Sequence, residues 1–191
     1  PRGRLYFTAS PPDPASASGH VQYYDPESGF GERKDWALEG GQALEVGQCL
    51  PEVKQCFFSD DGGHVYRFQD DGPSWSYVGQ IETGQEGGYI WLFNVMADKA
   101  YAATSTPRQA GPSLYEFDLK TGKTQWLCTM AELDPVLRGR NVHTGYDSWD
   151  SEGRFYFASF DWRSDQRVVL TRVDPGALKA ALQRAPCPGK P

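Results

Sequence analysis

Gly153-Arg154-Phe155-Tyr156-Phe157 restates, 150 residues downstream, the segment Gly3-Arg4-Leu5-Tyr6-Phe7. Two looser copies lie between them, Cys56-Phe57-Phe58-Ser59 and Tyr101-Ala102-Ala103-Thr104-Ser105, and they answer to Phe7-Thr8-Ala9-Ser10 and Tyr156-Phe157-Ala158-Ser159. The closing serines Ser10, Ser59, Ser105 and Ser159 are separated by 49, 46 and 54 residues. Unequal steps of this kind follow from loop insertions between otherwise matching units.

A second motif follows each copy. Val21-Gln22-Tyr23-Tyr24-Asp25-Pro26-Glu27-Ser28-Gly29 aligns without a gap to Leu114-Tyr115-Glu116-Phe117-Asp118-Leu119-Lys120-Thr121-Gly122. Val65 to Gly72 and Val169 to Gly176 are looser versions. Apolar residues run into Asp, then a turn former, then a Gly that tolerates positive φ, which is hairpin chemistry. The strands leaving the first three turns carry Trp36, Trp75 and Trp126. Their recurrence at matched positions predicts packing between units.

Periods of about 40 to 50 residues built from short strands belong to propeller blades. One further strand candidate precedes the second, third and fourth copies, at about Ala43 to Cys49, Tyr89 to Val95 and Val142 to Trp149. Each is the expected innermost strand of its blade, lining a central channel. With strands lettered A to D outward from the centre, the chain reads B-C-D, A-B-C-D, A-B-C-D, A-B-C. The fold class expected is therefore all-β, a propeller portion of roughly 3.5 four-stranded blades. Closed propellers typically have about 4 to 8 blades, and an open ring exposes strand edges. Either the terminal strands meet to complete a fourth blade, or the chain is part of a larger propeller closed by more sequence or by a second chain or copy; the second explains more simply a start on a B strand and is the expectation.

Composition agrees. Aromatics make up 14% of 191 residues, with 21 Gly and 14 Pro, which suits many strands joined by tight turns. Residues 1–176 read as blades and 177–191 as a short helical cap and C-terminal tail. The helical pattern itself runs from Pro175 to Arg184, and a disordered end is expected at Pro186-Cys187-Pro188-Gly189.

The chain resembles the broad β-propeller superfamily over nearly its whole length, in particular bacterial propellers with quinoprotein-like or lactonase-like repeats. Gly153 to Ala158 after the turn Asp150-Ser151-Glu152, and the turn Tyr24 to Gly29, carry the resemblance. A lactonase-like relationship implies a divalent cation on the channel axis, held by Glu, Asn and Asp of inner strands. Glu45, Asn94 and Asp147 are the counterparts by residue type. The blades lack the Trp-Asp endings of the WD type.

A net charge of −6 without a basic stripe argues against nucleic acid, and no apolar run is long enough for a membrane-spanning helix. The four cysteines show no metal-type spacing. Cys49 and Cys56 straddle an expected A-to-B hairpin, where they either pair or sit as two small buried apolar side chains. Pairing of Cys128 with Cys187 requires the tail to fold back. The cysteines lean the expected location toward secreted or periplasmic.

Residues that break the repeat are the candidates for chemistry. His20 and His64 open matched C strands and read as structural. His143 has no such counterpart. On an inner strand His143 and Asp147 point to one side, with Asp150 at the following turn. Such a set either holds a divalent cation or works as an acid/base pair assisted by Arg140; the alternative is a hydrogen-bonded tie between strands. Trp91, Tyr146, Trp149 and Trp162 do not recur cleanly either. They form a stacking platform for a carbohydrate-like or other small-molecule ligand, together with Asn94, or else serve the core. The leading expectation is a ligand- or protein-binding module. The alternative is part of a propeller hydrolase or lyase on a carbohydrate-like or lactone substrate.

Overall fold

A computed structural model describes residues 5–8, 20–38, 44–60, 62–69, 74–83, 89–105, 112–144, 148–161, 167–185 and 187. Among them lie four antiparallel sheets. Blade 1 contains β1 (Leu5–Thr8), β2 (His20–Asp25) and β3 (Gly29–Ala37). Blade 2 contains β4 (Leu44–Leu50), β5 (Gln55–Asp60), β6 (His64–Gln69) and β7 (Ser74–Gln80). Blade 3 contains β8 (Tyr89–Met96), β9 (Lys99–Ser105), β10 (Ser113–Asp118) and β11 (Lys123–Thr129). Blade 4 contains β12 (Asn141–Thr144), β13 (Phe155–Phe160) and β14 (Val169–Val173). Strand order within every sheet is sequential, so each blade is a meander. The described strands thus follow the pattern expected from the repeats, and the chain has an all-β propeller fold.

The turns form for the reasons legible in the motif. Asp25 Oδ1 accepts the N–H groups of Glu27 and Ser28 at 2.8 and 3.2 Å, and Asp118 Oδ1 accepts those of Lys120 and Thr121 at 2.9 and 2.8 Å. Gly29 and Gly122 then take φ of 83° and 66°. The aspartate satisfies the turn donors while glycine supplies the left-handed step that other residues resist.

The blades pack face to face through three apolar layers. Val21, Trp36, Cys56 and Phe68 join blades 1 and 2, with Trp36 stacked on Trp75 at 5.4 Å. Phe57, Ile81, Phe93 and Tyr115 belong to the layer between blades 2 and 3, against which Trp126 packs. Leu92, Leu114, Phe155 and Phe157 belong to the layer between blades 3 and 4. The recurring tryptophans therefore do pack between blades. Each fully buried large side chain contributes about 1.5–3 kcal/mol relative to exposure.

At the outer rim, β7 meets the β10–β11 turn through glycines. A Cβ at Gly79 would lie 3.1 Å from Gly122 Cα, and one at Gly122 would lie 2.6 Å from the Val78 carbonyl oxygen. Gly122 has no room for a side chain, and one at Gly79 fits only if the Gly122 backbone gives way.

Two helices interrupt the sheets. α1 (Met130–Leu133) and the 3-10 turn Pro135–Leu137 lead from blade 3 into β12, and Asp134 caps that turn by accepting from Val136 N–H. α2 (Pro175–Arg184) follows β14 over the residues whose sequence pattern is helical. Asp174 caps it by accepting from Ala177 N–H, and Pro175 fits the first turn, where its missing N–H costs nothing. Leu178 and Leu182 seat α2 on the blade 3–4 layer, and Lys179 pairs with Glu116 of β10. Cys49 and Cys56 lie directly opposite each other on β4 and β5 and are bonded as a disulfide. Of the two alternatives for these cysteines, pairing is the one observed. No helix among the described residues is long and apolar enough to cross a membrane.

Candidate functional site

The inner strands β4, β8 and β12 are neighbours around the axis, β8 touching both of the others. Each begins at the same end of the channel, because each runs into its own A-to-B hairpin. Near that end all three break register. The ladder shifts between Leu44 and Val46 in β4, between Ile90 and Leu92 in β8, and between Val142 and Thr144 in β12. The extra residues are Glu45, Trp91 and His143. A bulge takes one residue out of the alternating pleat and re-aims it, which is why bulges gather next to functional sites. The bulges fall within about two rungs of one another, measured from the closing serines Ser59, Ser105 and Ser159: the pairs just past them are Val46–Ser59, Leu92–Ala103 and Thr144–Ala158.

Farther along the inner strands, polar side chains tie blade to blade. Gln48 of β4 donates its amide N–H to the Val95 carbonyl at 3.0 Å and accepts the Val95 N–H at 2.6 Å. Asn94, fully buried in β8, accepts from Ser148 N–H at 3.0 Å and from Ser148 Oγ at 3.2 Å. Gln48 and Asn94 hold matched places, opposite Phe57 and Tyr101. The side-chain oxygen of Asn94, expected to face a ligand, thus secures blade 4 to blade 3.

The other expected residues are placed as follows. Arg140 donates from Nε to the Val136 carbonyl at 2.8 Å and from Nη1 to the Arg167 carbonyl at 2.7 Å, bracing the entry to β12 against the segment before β14. Asp150 lies in the turn before β13. Its Oδ1 accepts from Glu152 and Arg154 N–H, and its Oδ2 from Arg154 Nε and Tyr156 OH at 2.7 and 2.8 Å. Burial pushes the Asp150 carboxyl up. Hydrogen bonds from Arg154 N–H, the Tyr156 hydroxyl and the Arg154 guanidinium outweigh this and hold it well below the usual range. Metal ligation by Asp150 would require these bonds to be given up.

Trp149 is half-buried, edge-on to Phe155 at 5.2 Å and near Tyr101 at 6.0 Å, and belongs to the packing between blades 3 and 4. Among the described residues its buried indole nitrogen meets no hydrogen-bond partner. Trp91 is half-buried at the β8 bulge. Tyr146, Asp147 and Trp162 lie outside the described residues, as do the side chains of Glu45 and His143. Among the described residues no three or more His, Cys, Asp or Glu side chains gather closely enough to hold a metal. His64, read as structural, lies with Nδ1 2.9 Å from Asp60 Oδ2 inside its own blade.

A groove of about 320 Å³, which the sequence does not reveal, lies between blades 3 and 4. α1, the 3-10 turn, β14 and α2 frame it; Leu114, Leu137, Phe157 and Leu178 make it apolar, and Asp134 and Arg172 add charge. Its walls come from segments distant in the chain, so no local motif announces it.

No family model and no curated protein matches the chain. Among solved structures, one similar chain is an oligogalacturonate lyase in complex with manganese, at 13% identity and a TM-score of 0.48, covering 92% of this chain and 60% of that one. Another is a protein from Lactobacillus plantarum, at 9% identity and a TM-score of 0.39, covering 91% of this chain and 68% of that one. This chain spans 60% of the lyase's length. Its propeller fold rests on the four sheets themselves.

Proposed function

We propose that the chain is a ligand-binding portion of a propeller whose site lies at the end of the channel where the inner strands begin, with Glu45, Trp91 and His143 as its recognition groups. The observation that carries this reading is the coincidence of bulges. Three successive inner strands each carry one extra residue in the ladder near the same rung, and the three are an acid, a flat aromatic and an imidazole. Trp stacks on the apolar face of a sugar ring, while a carboxylate and an imidazole bond the hydroxyls at its edge. A carbohydrate-like small molecule fits that chemistry. Closure of the ring by a second copy and a secreted or periplasmic location, to which the Cys49–Cys56 bond lends support, belong to the same reading.

The test is calorimetric titration of the full chain with neutral and acidic oligosaccharides, repeated on Trp91→Ala and His143→Ala. Binding lost in both variants, with unfolding temperatures unchanged, supports the site. Oligosaccharide binding that survives both substitutions sinks it.

The β12 bulge at His143 also favours a second reading, in which the chain supplies some of the groups of a hydrolase or lyase site. His143 would then be the base or a ligand to a divalent cation, with Asp147 or Arg140 assisting. Metal analysis of the purified chain, repeated on His143→Ala, separates the two. Metal held by the unaltered chain and lost in the variant supports the enzyme reading, and equal metal content in both refutes the ligand role.

A further inference from the structure

We propose that Cys128 and Cys187 form a second disulfide, closed by exchange with a disulfide-class oxidant, that latches α2 and its tail onto the outer strand of blade 3. Cys128 lies in β11 and is fully buried; Cys187 lies beyond the end of α2 and is half-buried. Although the tail reads from sequence as disordered, its Cys187 folds back. The side chain packs against the cluster that contains Leu127, Cys128 and Met130. Cys128 and Cys187 therefore belong to the same apolar layer.

Three further contacts hold the partners together before any covalent bond forms. Asp174 caps α2, Leu178 and Leu182 seat it on the layer between blades 3 and 4, and Lys179 pairs with Glu116. Closure is therefore nearly intramolecular at short range, which raises the effective concentration of one thiol at the other. The same chain carries the Cys49–Cys56 disulfide, and conditions that oxidise one pair act on the other.

The chemistry balances by exchange. Cys187, the more accessible thiol, loses its proton and attacks one sulfur of the oxidant, forming a mixed disulfide and expelling a thiolate. Cys128 then loses its proton and attacks Cys187 Sγ, forming the Cys128–Cys187 bond and releasing the second half of the oxidant as a thiolate. Two protein thiols are oxidised and one disulfide is reduced to two thiols. Burial pushes both protein thiols up, and for Cys187 a hydrogen bond with Glu132 adds to it. The thiolate is the nucleophile, so closure accelerates as pH rises.

The test treats the full folded chain with oxidised and reduced glutathione at mildly alkaline pH, then alkylates and maps peptides without reduction. The expected result is a peptide pair joining Cys128 to Cys187 and no alkylation at either. Relative to Cys187→Ser in the same buffer, the unfolding temperature should rise on the order of 10 °C, and dithiothreitol should erase the difference. Alkylation of both residues in the folded oxidised chain would overturn the proposal. So would a link from Cys187 to another chain, or a Cys128–Cys187 link with no change in unfolding temperature. Cys128→Ala provides the reciprocal variant, and it must lose the same link.

Discussion

The Gln48 side chain behaves toward Val95 as a neighbouring strand would, giving one hydrogen bond to its carbonyl and taking one from its N–H. Inner strands of adjacent blades converge without sharing a ladder, so their backbone groups need partners from side chains. At the next junction around the axis, between blades 3 and 4, Asn94 has the matching role.

Gln48→Leu keeps the volume and removes both bonds, leaving a buried donor and acceptor unpaired. At about 1–3 kcal/mol for each of the two orphaned groups, the loss should be about 2–6 kcal/mol. Urea unfolding should show a lower midpoint with an unchanged slope. A midpoint equal to that of the unaltered chain would remove Gln48 from the account of blade cohesion.

Asn94→Ala tests the division of labour between support and recognition. Loss of the acceptor for Ser148 should lower stability by about 1–3 kcal/mol. Oligosaccharide affinity should fall only as far as blade 4 shifts, whereas Trp91→Ala should abolish binding at constant stability. The opposite pattern would move Asn94 into the recognition set.

Acid should unfold the protein through a defined set of aspartates. The hydrogen bond from Lys99, helped by Thr121 N–H, holds the Asp118 carboxyl well below its usual range; Lys120 lowers Asp98, and Arg154 with Tyr156 lowers Asp150. A carboxyl whose folded value is depressed adds stability that is present above its unfolded value, near 3.8, and is lost as pH falls below it. Thermal midpoints should be flat near neutrality and drop through and below that range. Asp118→Asn and Asp150→Asn should each lower the neutral plateau and flatten the acid limb; an unchanged acid limb in both would show that other groups drive the loss.

Apolar side chains stand exposed on both terminal blades, Leu5 and Phe30 on blade 1 and Val168 and Leu170 on blade 4, with Phe30 at 79% and Leu170 at 71%. A second copy that closes the ring would cover them. Light scattering should then give twice the chain mass, and Leu170→Asp should give the single chain. A monomer at high concentration for the unaltered chain refutes closure by self-association.

Much of the fold was legible because its turns are chemical. An Asp that accepts from the next donors and a Gly that takes positive φ announce the ends of two C strands, at Asp25 and Gly29 and again at Asp118 and Gly122, whereas Asp174 of the fourth copy caps α2 instead. Trp36, Trp75 and Trp126 marked the packing faces because they recur. The bulges were not legible, since one extra residue in an apolar strand leaves its pattern readable. Glu45, Trp91 and His143 each drew notice separately, and only the register shows that they share a structural role. Tertiary pairing was also out of reach: whether Cys49 meets Cys56 depends on the turn Pro51–Val53 setting two positions directly opposite each other. Nothing in residues 185–191 says that Cys187 returns to β11.

The glycine contact at the outer rim has a consequence for the size of the complete ring. Successive blades are wedges, narrow at the axis and wide outside, and the angle between two of them is fixed by how near their outer edges come. Gly79 and Gly122 meet with no side chain between them. Any residue with a Cβ at either place would pry the rims of blades 2 and 3 apart and open the wedge. A circle filled with wider wedges holds fewer of them, so two hydrogen atoms at the periphery help set how many blades the circle admits.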